Sequence, residues 1–435
     1  MTMMMDSKGT GQNARARHRF ASVCVVGLGY IGLPTAAMFA SHGVQTWGHD
    51  VNEHAVKTIN AGQIHIVEPG LEEVVARAVK DGMLRASTSP RQADAYLIAV
   101  PTPLDAAHQP DISYVEAAAR NIAPLLQPGA LIVLESTSPV GTTRHMAGLL
   151  AELRPDLRFP LEPDAQPDVN IAYCPERVLP GQVIEELINN DRVIGGMTPA
   201  CAERAAALYR TFLEAECILT NAETAEMCKL AENAYRDVNI AYANELSLIS
   251  EKFGIDVWEL ISLANRHPRV NILQPGCGVG GHCIAVDPWF IVASAPEEAR
   301  LIRTAREIND SKPHRVLAQV AEHVAQLGWK PARIAMLGLA FKPDIDDLRE
   351  SPALEIAEAL ARREDCELLI VEPHIEALPE SLRGQRLYSL REAVQAADII
   401  LPLVRHSAFE GLDKLLEERH VVVDPAGLLA AGRNG

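Results

Sequence analysis

Ser22-Val23-Cys24-Val25-Val26-Gly27-Leu28-Gly29-Tyr30-Ile31-Gly32-Leu33-Pro34-Thr35-Ala36-Ala37-Met38-Phe39-Ala40 is the stretch that decides the fold. A β-branched apolar run enters a glycine turn and leaves as an apolar, alanine-rich helix. The glycine spacing has a physical reason. Gly27 makes the tight turn, Gly29 lets a pyrophosphate approach the helix N-terminus, and Gly32 permits close packing of helix on strand. Tyr30 and Ile31, inside the turn, are counted with the same cofactor contacts. A second strand, Val44-Gln45-Thr46-Trp47-Gly48, ends at His49-Asp50. Asp50 falls where a carboxylate accepts hydrogen bonds from an adenosine ribose, and its charge would repel an added ribose phosphate, which favours NAD over NADP. A bare GxGxxG carries little; placed between two strands and followed by an acid, it predicts a dinucleotide site.

The parallel-sheet rhythm continues outward. Ala95–Val100 ends in Pro101-Thr102-Pro103, Ala130–Leu134 ends in Glu135-Ser136-Thr137, and Val169–Tyr173 leads into Cys174-Pro175-Glu176-Arg177. Polar residues at such strand ends line the ligand crevice, so Thr102, Glu135, Thr137 and Glu176 are candidate contacts, although each alone is equally a turn former. From Ala222 to Phe253 there is neither proline nor glycine, and Gly254 supplies a stop, which predicts one long helix. Lys229 and Asn233 are four apart on it and share a face, which Glu226 and Asp237 extend. On spacing alone this stripe reads as a solvated, salt-bridged face.

Beyond the helix, Asn265-Arg266-His267-Pro268-Arg269 is a basic turn, open to two readings: cations at a helix end or a clamp for a phosphate. Gly276-Cys277-Gly278-Val279-Gly280-Gly281-His282-Cys283 follows, with Asp287 four residues past the second cysteine. Glycines present Cys283 at a cleft, and the nearby aspartate and His282 make it a candidate nucleophile in place of a core thiol. A second α/β unit then begins with Arg333–Leu337 and the turn Gly338-Leu339-Ala340. It continues through Phe341-Lys342-Pro343-Asp344, a helix from Pro352, and strands at 368–371, 398–401 and 421–423. This half repeats the plan of the first but shows no full GxGxxG and no acid closing its second strand; Lys342 and Arg349 are its candidate pyrophosphate cations.

The fold class expected is α/β, with two Rossmann-like doubly wound domains joined by a long central helix. The boundaries read as a flexible tail at 1–20, an NAD-binding domain at 21–215, a central helical domain with the cysteine loop at 216–315, and a C-terminal Rossmann-like domain for a different nucleotide ligand at 316–435. A chain of 435 residues is too long for one core. Its formal charge of -17 argues against nucleic acid, whose binders carry a basic surface. Eight cysteines without a CxxC pair suit a reducing cytoplasm, and no metal site is expected. No apolar run is long enough for a bilayer, so no membrane partner is expected.

The chain resembles the NAD-dependent UDP-sugar 6-dehydrogenase family over nearly everything after residue 20. The resemblance rests on Val26–Pro34, Glu135-Ser136-Thr137-Ser138-Pro139-Val140-Gly141, Ala172–Arg177, Ala225–Leu230 with Asn233, Gly280–Pro288, and Phe341-Lys342-Pro343 with Arg349-Glu350-Ser351-Pro352. One departure is Cys277, where close relatives usually carry proline. The resemblance implies oxidation of a primary alcohol to a carboxylate by two NAD+ in succession, with a UDP-sugar as substrate. It implies that Cys283 captures the aldehyde and carries it as a thioester, and that Lys229 and Asn233 stabilise the oxyanion. Glu176 and Asp287 take base or water-positioning roles, which of them activates water being open, and Thr137 lies near the reacting centre. Arg177, Arg266, His267, Arg269 and Gly280 hold the sugar nucleotide, in part across a subunit boundary, while Lys342 and Arg349 lie near UDP. A homodimer built on the long helix is implied as well. His282 and Ile284-Ala285-Val286 look more like the N-acetylhexosamine enzymes than the glucose enzymes. Two other readings stand beside this: the same chemistry on UDP-glucose or UDP-N-acetylglucosamine, and a non-catalytic NAD-sensing module.

Overall fold

The structure, a computed structural model, describes residues 20–162, 166–178, 181–328 and 331–429. Of the tail expected at residues 1–20, residues 1–19 lie outside the described ones. Phe20 is no tail residue: it is buried in the N-terminal core, with the Arg204 guanidinium 4.1 Å over its ring. The chain forms two compact units that divide between Ala231 and Glu232.

The N-terminal unit is an α/β sheet of eight strands: β1 (Ser22–Val26), β2 (Gln45–His49), β3 (Leu84–Ser87), β4 (Ala95–Ile98), β5 (Leu131–Leu134), β6 (Asn170–Tyr173), β7 (Arg192–Gly196) and β8 (Cys217–Asn221). They lie in the order β3-β2-β1-β4-β5-β6-β7-β8 and run parallel except between β6 and β7. Both faces are covered. Val23 and Val25 of β1 point into one apolar core, Cys24 and Val26 into the other, as the two-residue period of a strand requires. β4 and β5 are buried along their whole length, which is why they read as unbroken apolar runs. The first crossover helix, α1 (Gly32–Ser41), packs against β1 and β2. Two others recur below: α2 (Thr142–Leu153) and α3 (Pro199–Tyr209).

The long helix α4 runs from Ala222 to Phe253, and Gly254 ends it at φ 65°. The division between the units falls inside it. In the C-terminal unit follow α5 (Val257–Ala264), α6 (Asp287–Ser294), α7 (Arg300–Leu327) and α8 (Pro352–Ala361). A second, all-parallel sheet joins β9 (Ala332–Leu337), β10 (Cys366–Val371), β11 (Ile399–Pro402) and β12 (Val421–Val422) in the order β10-β9-β11-β12. Ile334 and Met336 of β9 fill one core and Ala335 and Leu337 the other. The fold is therefore α/β with two Rossmann-like sheets. Among the described residues no helix is long and apolar enough to cross a membrane.

Two expectations need correction. The second sheet does have an acid at the end of its second strand: Glu372 follows β10, and its Oε2 accepts the Leu339 and Ala340 amides of the β9 turn at 2.7 and 3.1 Å. Asp50 Oδ2 accepts the Leu28 amide in the same way. Glu372 carries no signal in the sequence because no glycine fingerprint precedes it. The stripe of Glu226 and Asp237 on α4 is also not solvated, since both side chains are fully buried.

Candidate active site

The glycine turn after β1 has the properties that a dinucleotide requires. Gly27 sits at φ 91°, where a Cβ would meet the Ala99 carbonyl oxygen at 2.5 Å. At Gly32 a Cβ would lie 1.8 Å from the Gly27 carbonyl oxygen, so helix and turn touch only because Gly32 has no side chain. Gly29 differs: a Cβ there meets nothing within 4 Å. No side chain caps α1 and no acid lies in its first turn, so the positive end of the helix faces this open space. Ile31 is the N-cap residue and Tyr30 stands half-exposed beside it. Asp50 uses Oδ2 on the Leu28 amide at 2.9 Å and Oδ1 on the Asn52 amide at 2.8 Å, leaving one lone pair on each oxygen for a ribose. These residues fit NAD. Gly29→Ala is expected to leave the melting temperature within about 2 °C while weakening NAD at least tenfold; Gly32→Ala is expected to destabilise the apo protein as well, by about 1–3 kcal/mol of overpacking. Thermal melts with and without NAD separate the two.

The strand-end residues divide. Thr102 donates its hydroxyl to the Thr137 carbonyl at 2.5 Å and so ties the ends of β4 and β5 together, with both side chains partly exposed. Glu135 turns inward instead: it is buried, Oε1 accepts the Tyr209 hydroxyl at 2.6 Å, and Oε2 has no hydrogen-bond partner among the described residues. Burial pushes its carboxyl up to about 7, against the opposing pull of Arg192. Glu176 is buried and pairs with Arg192 at 2.9 Å, while its Oε1 accepts the Arg177 amide at 2.8 Å. Arg177 itself is partly exposed and donates to the Asp191 carbonyl at 3.2 Å. Arg192 carries no motif and is missed in the sequence. Its only signal is a charged residue opening the strand of a buried sheet.

On α4, Glu226 accepts the Gly141 and Thr143 amides at 2.6 and 2.8 Å, which makes it the anionic cap of α2, whose own N-cap residue is Gly141. Lys229, one turn on, is partly buried and makes no hydrogen bond or ion pair among the described residues. In the C-terminal unit, Asn233 donates Nδ2 to Asp287 Oδ2 at 2.5 Å. Asp287 is buried at the first turn of α6, and its amide donates to the Cys283 carbonyl at 2.8 Å. The cysteine loop is thereby tied to both helices.

None of the eight cysteines is in a disulfide among the described residues, and of the eight only Cys283 is exposed. Cys277 is a core thiol: it packs with Val316 and Met336, its Sγ lies 3.6 Å from the Leu403 carbonyl oxygen, and burial pushes it up to about 12. That accounts for the residue the sequence leaves unexplained. Gly280 is required by the chain's own packing, since a Cβ would strike the Glu350 carbonyl oxygen at 2.3 Å and Phe341 at 2.8 Å. His282 faces Asp347 at 3.6 Å, and Asp347 is held by both arms of Arg349 at 2.7 and 2.8 Å. Lys342 is exposed with no ion-pair partner among the described residues, and Arg266, His267 and Arg269 are likewise exposed past the end of α5. Asp344, His374 and His406 bring three potential ligand atoms within 4.8 Å of one another. The group is held by its own hydrogen bonds: His406 Nδ1 accepts the Asp344 amide at 2.9 Å, and Asp344 Oδ1 accepts the Ser407 amide and hydroxyl.

Residues 21–213 match the NAD binding domain, 223–311 the central domain and 335–431 the UDP binding domain of the UDP-glucose/GDP-mannose dehydrogenase family. The chain belongs to this family and is an NAD-dependent dehydrogenase. It is 62% identical to the UDP-N-acetyl-D-mannosamine dehydrogenase of Salmonella typhi, over 94% of this chain and 99% of that protein. It is 58% identical to an NDP-N-acetyl-D-galactosaminuronic acid dehydrogenase of Ralstonia nicotianae, over 95% of this chain and 97% of that one. The solved UDP-N-acetyl-mannosamine dehydrogenase of Staphylococcus aureus superposes with a TM-score of 0.83 at 43% identity, covering 94% of this chain and 95% of that one.

Proposed function

We propose that the protein oxidises the C6 primary alcohol of UDP-N-acetyl-D-mannosamine to the carboxylate, consuming two NAD+, with Cys283 as covalent carrier. The observation that carries this reading is a single exposed thiol beside the Asn233–Asp287 pair. The substrate assignment rests on the 62% identity to enzymes of that name. NAD, held on the turn from Gly27 to Gly32 with Asp50, supplies the hydride acceptor for both oxidations. The Cys283 thiolate adds to the aldehyde carbon; the C–S bond forms, the carbonyl electron pair moves to oxygen, and Lys229 and the second N–H of Asn233 stabilise that oxyanion. Donors of this kind are worth roughly 3 kcal/mol each. Once the same carbon is a thioester, water attacks it, Glu176 takes a proton from the water, and the C–S pair leaves on Sγ. Asp287, with one oxygen committed to Asn233, orients that amide, which leaves Glu176 for the water. Thr137 lies near the reacting carbon, Thr102 holds the Thr137 backbone, and Arg177, Arg266, His267, Arg269, Lys342 and Arg349 bind the nucleotide sugar.

Turnover on UDP-N-acetylmannosamine, UDP-N-acetylglucosamine, UDP-N-acetylgalactosamine and UDP-glucose tests the assignment. A preference of at least tenfold in kcat/KM for the first is expected, since a misplaced hydroxyl that leaves a buried polar group unpaired costs 1.4 kcal/mol or more, about tenfold. A preference for the galacto sugar would favour the Ralstonia-type reaction, and NAD binding with no NADH formed on any sugar would leave a sensor module.

The working parts are proposed to be 21–215, 216–315 and 316–435, in a cytoplasmic homodimer. The seam for the dimer is on α4, where Tyr235, Tyr242 and Ile249 stand 74%, 52% and 46% exposed at seven-residue spacing, one face of a helix. Tyr242→Arg is expected to shift the mass in light scattering from dimer to monomer; an unchanged mass places the seam elsewhere.

A further inference from the structure

Beneath the carboxyl ends of β5 and β6 lies a closed cluster of which the reaction above uses only Glu176. Arg192 opens β7 and is buried. Its guanidinium pairs with Glu176 at 2.9 Å, lies 4.5 Å over the Tyr209 ring, and has 3.8 Å between Nη1 and the Cys174 sulfur. Tyr209, from α3, donates its hydroxyl to Glu135 at 2.6 Å. The groups facing Glu135 are thus Arg192 on β7, Tyr209 on α3, and Glu176 and Cys174 at the end of β6. Burial holds Cys174 up at about 12, so that thiol stays neutral. Two buried carboxylates therefore share one buried cation. With both ionised the cluster is one negative charge in excess, a state that a low-dielectric interior disfavours, and Glu135, with an unpartnered oxygen, is the site where a proton resolves it.

We propose that Arg192 and Glu135 are positioning residues for Glu176, the guanidinium gripping Glu176 tightly when Glu135 is neutral and loosely when Glu135 is charged. The inference rests on the role given to Glu176 under the proposed function. With Glu135 protonated, the whole arginine charge falls on Glu176 and opposes its taking a proton from water. With Glu135 ionised, the same charge is divided between two carboxylates and Glu176 is free to act. Since Glu135 titrates at about 7, thioester hydrolysis accelerates as pH rises through neutrality. Tyr209 holds Glu135 in the charged state through its hydroxyl, so its loss moves that transition upward.

The test is single-turnover hydrolysis of the Cys283 thioester by the full-length enzyme between about pH 5.5 and 9, with KM for the sugar measured alongside. In the unaltered protein a rise with an inflection near 7 is expected. Glu135→Gln keeps the shape and the acceptor for Tyr209; it is expected to remove the inflection and to hydrolyse about tenfold slower at the alkaline end, with KM unchanged. Tyr209→Phe is expected to shift the inflection to higher pH, an effect that loss of packing alone does not give. Retention of the inflection in Glu135→Gln, or an unmoved one in Tyr209→Phe, would overturn the inference. Glu176→Gln separates the two levels. If it blocks hydrolysis while Glu135→Gln keeps the original profile, only the inference fails; if Glu176→Gln hydrolyses normally, the role of Glu176 fails and the inference with it.

Discussion

Cys283→Ser is expected to abolish formation of the uronic acid, by at least ~10³-fold, while NAD affinity stays unchanged. The reason is the scarcity of alternatives. A serine hydroxyl is not ionised near neutral pH and adds poorly to an aldehyde, whereas a thiol supplies a useful thiolate fraction. The other seven cysteines are all less exposed. Cys24, Cys174, Cys201 and Cys277 are buried, and Cys277, six residues away, is pushed up to about 12 and packed among Val316, Val320 and Met336. NAD binding depends on the turn at Gly27–Gly32 and on Asp50, whose hydrogen bonds to the Leu28 and Asn52 amides do not involve Cys283. NAD titration by intrinsic fluorescence and acid formation by chromatography check the two halves separately. Acid formed at near-normal rate by the serine variant would exclude covalent capture.

Asp237→Ala is expected to cost about 3–5 kcal/mol of stability, as a shift in the urea midpoint, because it takes from a buried cation its one fully buried carboxylate partner. Arg306 is 1% exposed and Asp237 fully buried, with 2.6 Å between Nη1 and Oδ1. Asn309 donates to the same carboxylate at 2.8 Å and to the Asp237 carbonyl at 3.1 Å. Asn244 donates to Asn309 at 2.8 Å and accepts the Gly276 amide at 2.9 Å. One carboxylate thus fixes α4 against α7 and, through two amides, the start of the cysteine loop. The second partner of Arg306, Asp310, is about half exposed, so Asp310→Ala is expected to cost less than about 1 kcal/mol. Equal losses in the two variants would show that burial does not set the value of these pairs.

The parts of this fold legible in sequence are those where local chemistry admits one solution. Gly27 and Gly32 are demanded by backbone contacts, and α4 runs over the residues that its lack of glycine and proline predicts. β7 was not legible, because Gly195 and Gly196 depress strand propensity. A Cβ at Gly195 would strike the Asn221 carbonyl oxygen at 2.5 Å, so its glycine serves contact between distant segments. The reading of Glu226 and Asp237 as solvated failed for a related reason: helical spacing shows which residues share a face but not that α2 offers bare amides, or α7 an arginine, to meet them. Glu135 and Arg192 belong to the same class. Each looks like an ordinary polar residue at a strand end until sheet order places β5, β6 and β7 side by side.

The covalent double oxidation is tested most directly by counting NADH against UDP-N-acetylmannosamine consumed at completion, with acid quench during turnover to trap sugar on the protein. Two NADH per sugar are expected, with a thioester adduct mapped to the peptide that holds Cys283. One NADH per sugar with free aldehyde released, or two with no adduct at Cys283, would contradict it.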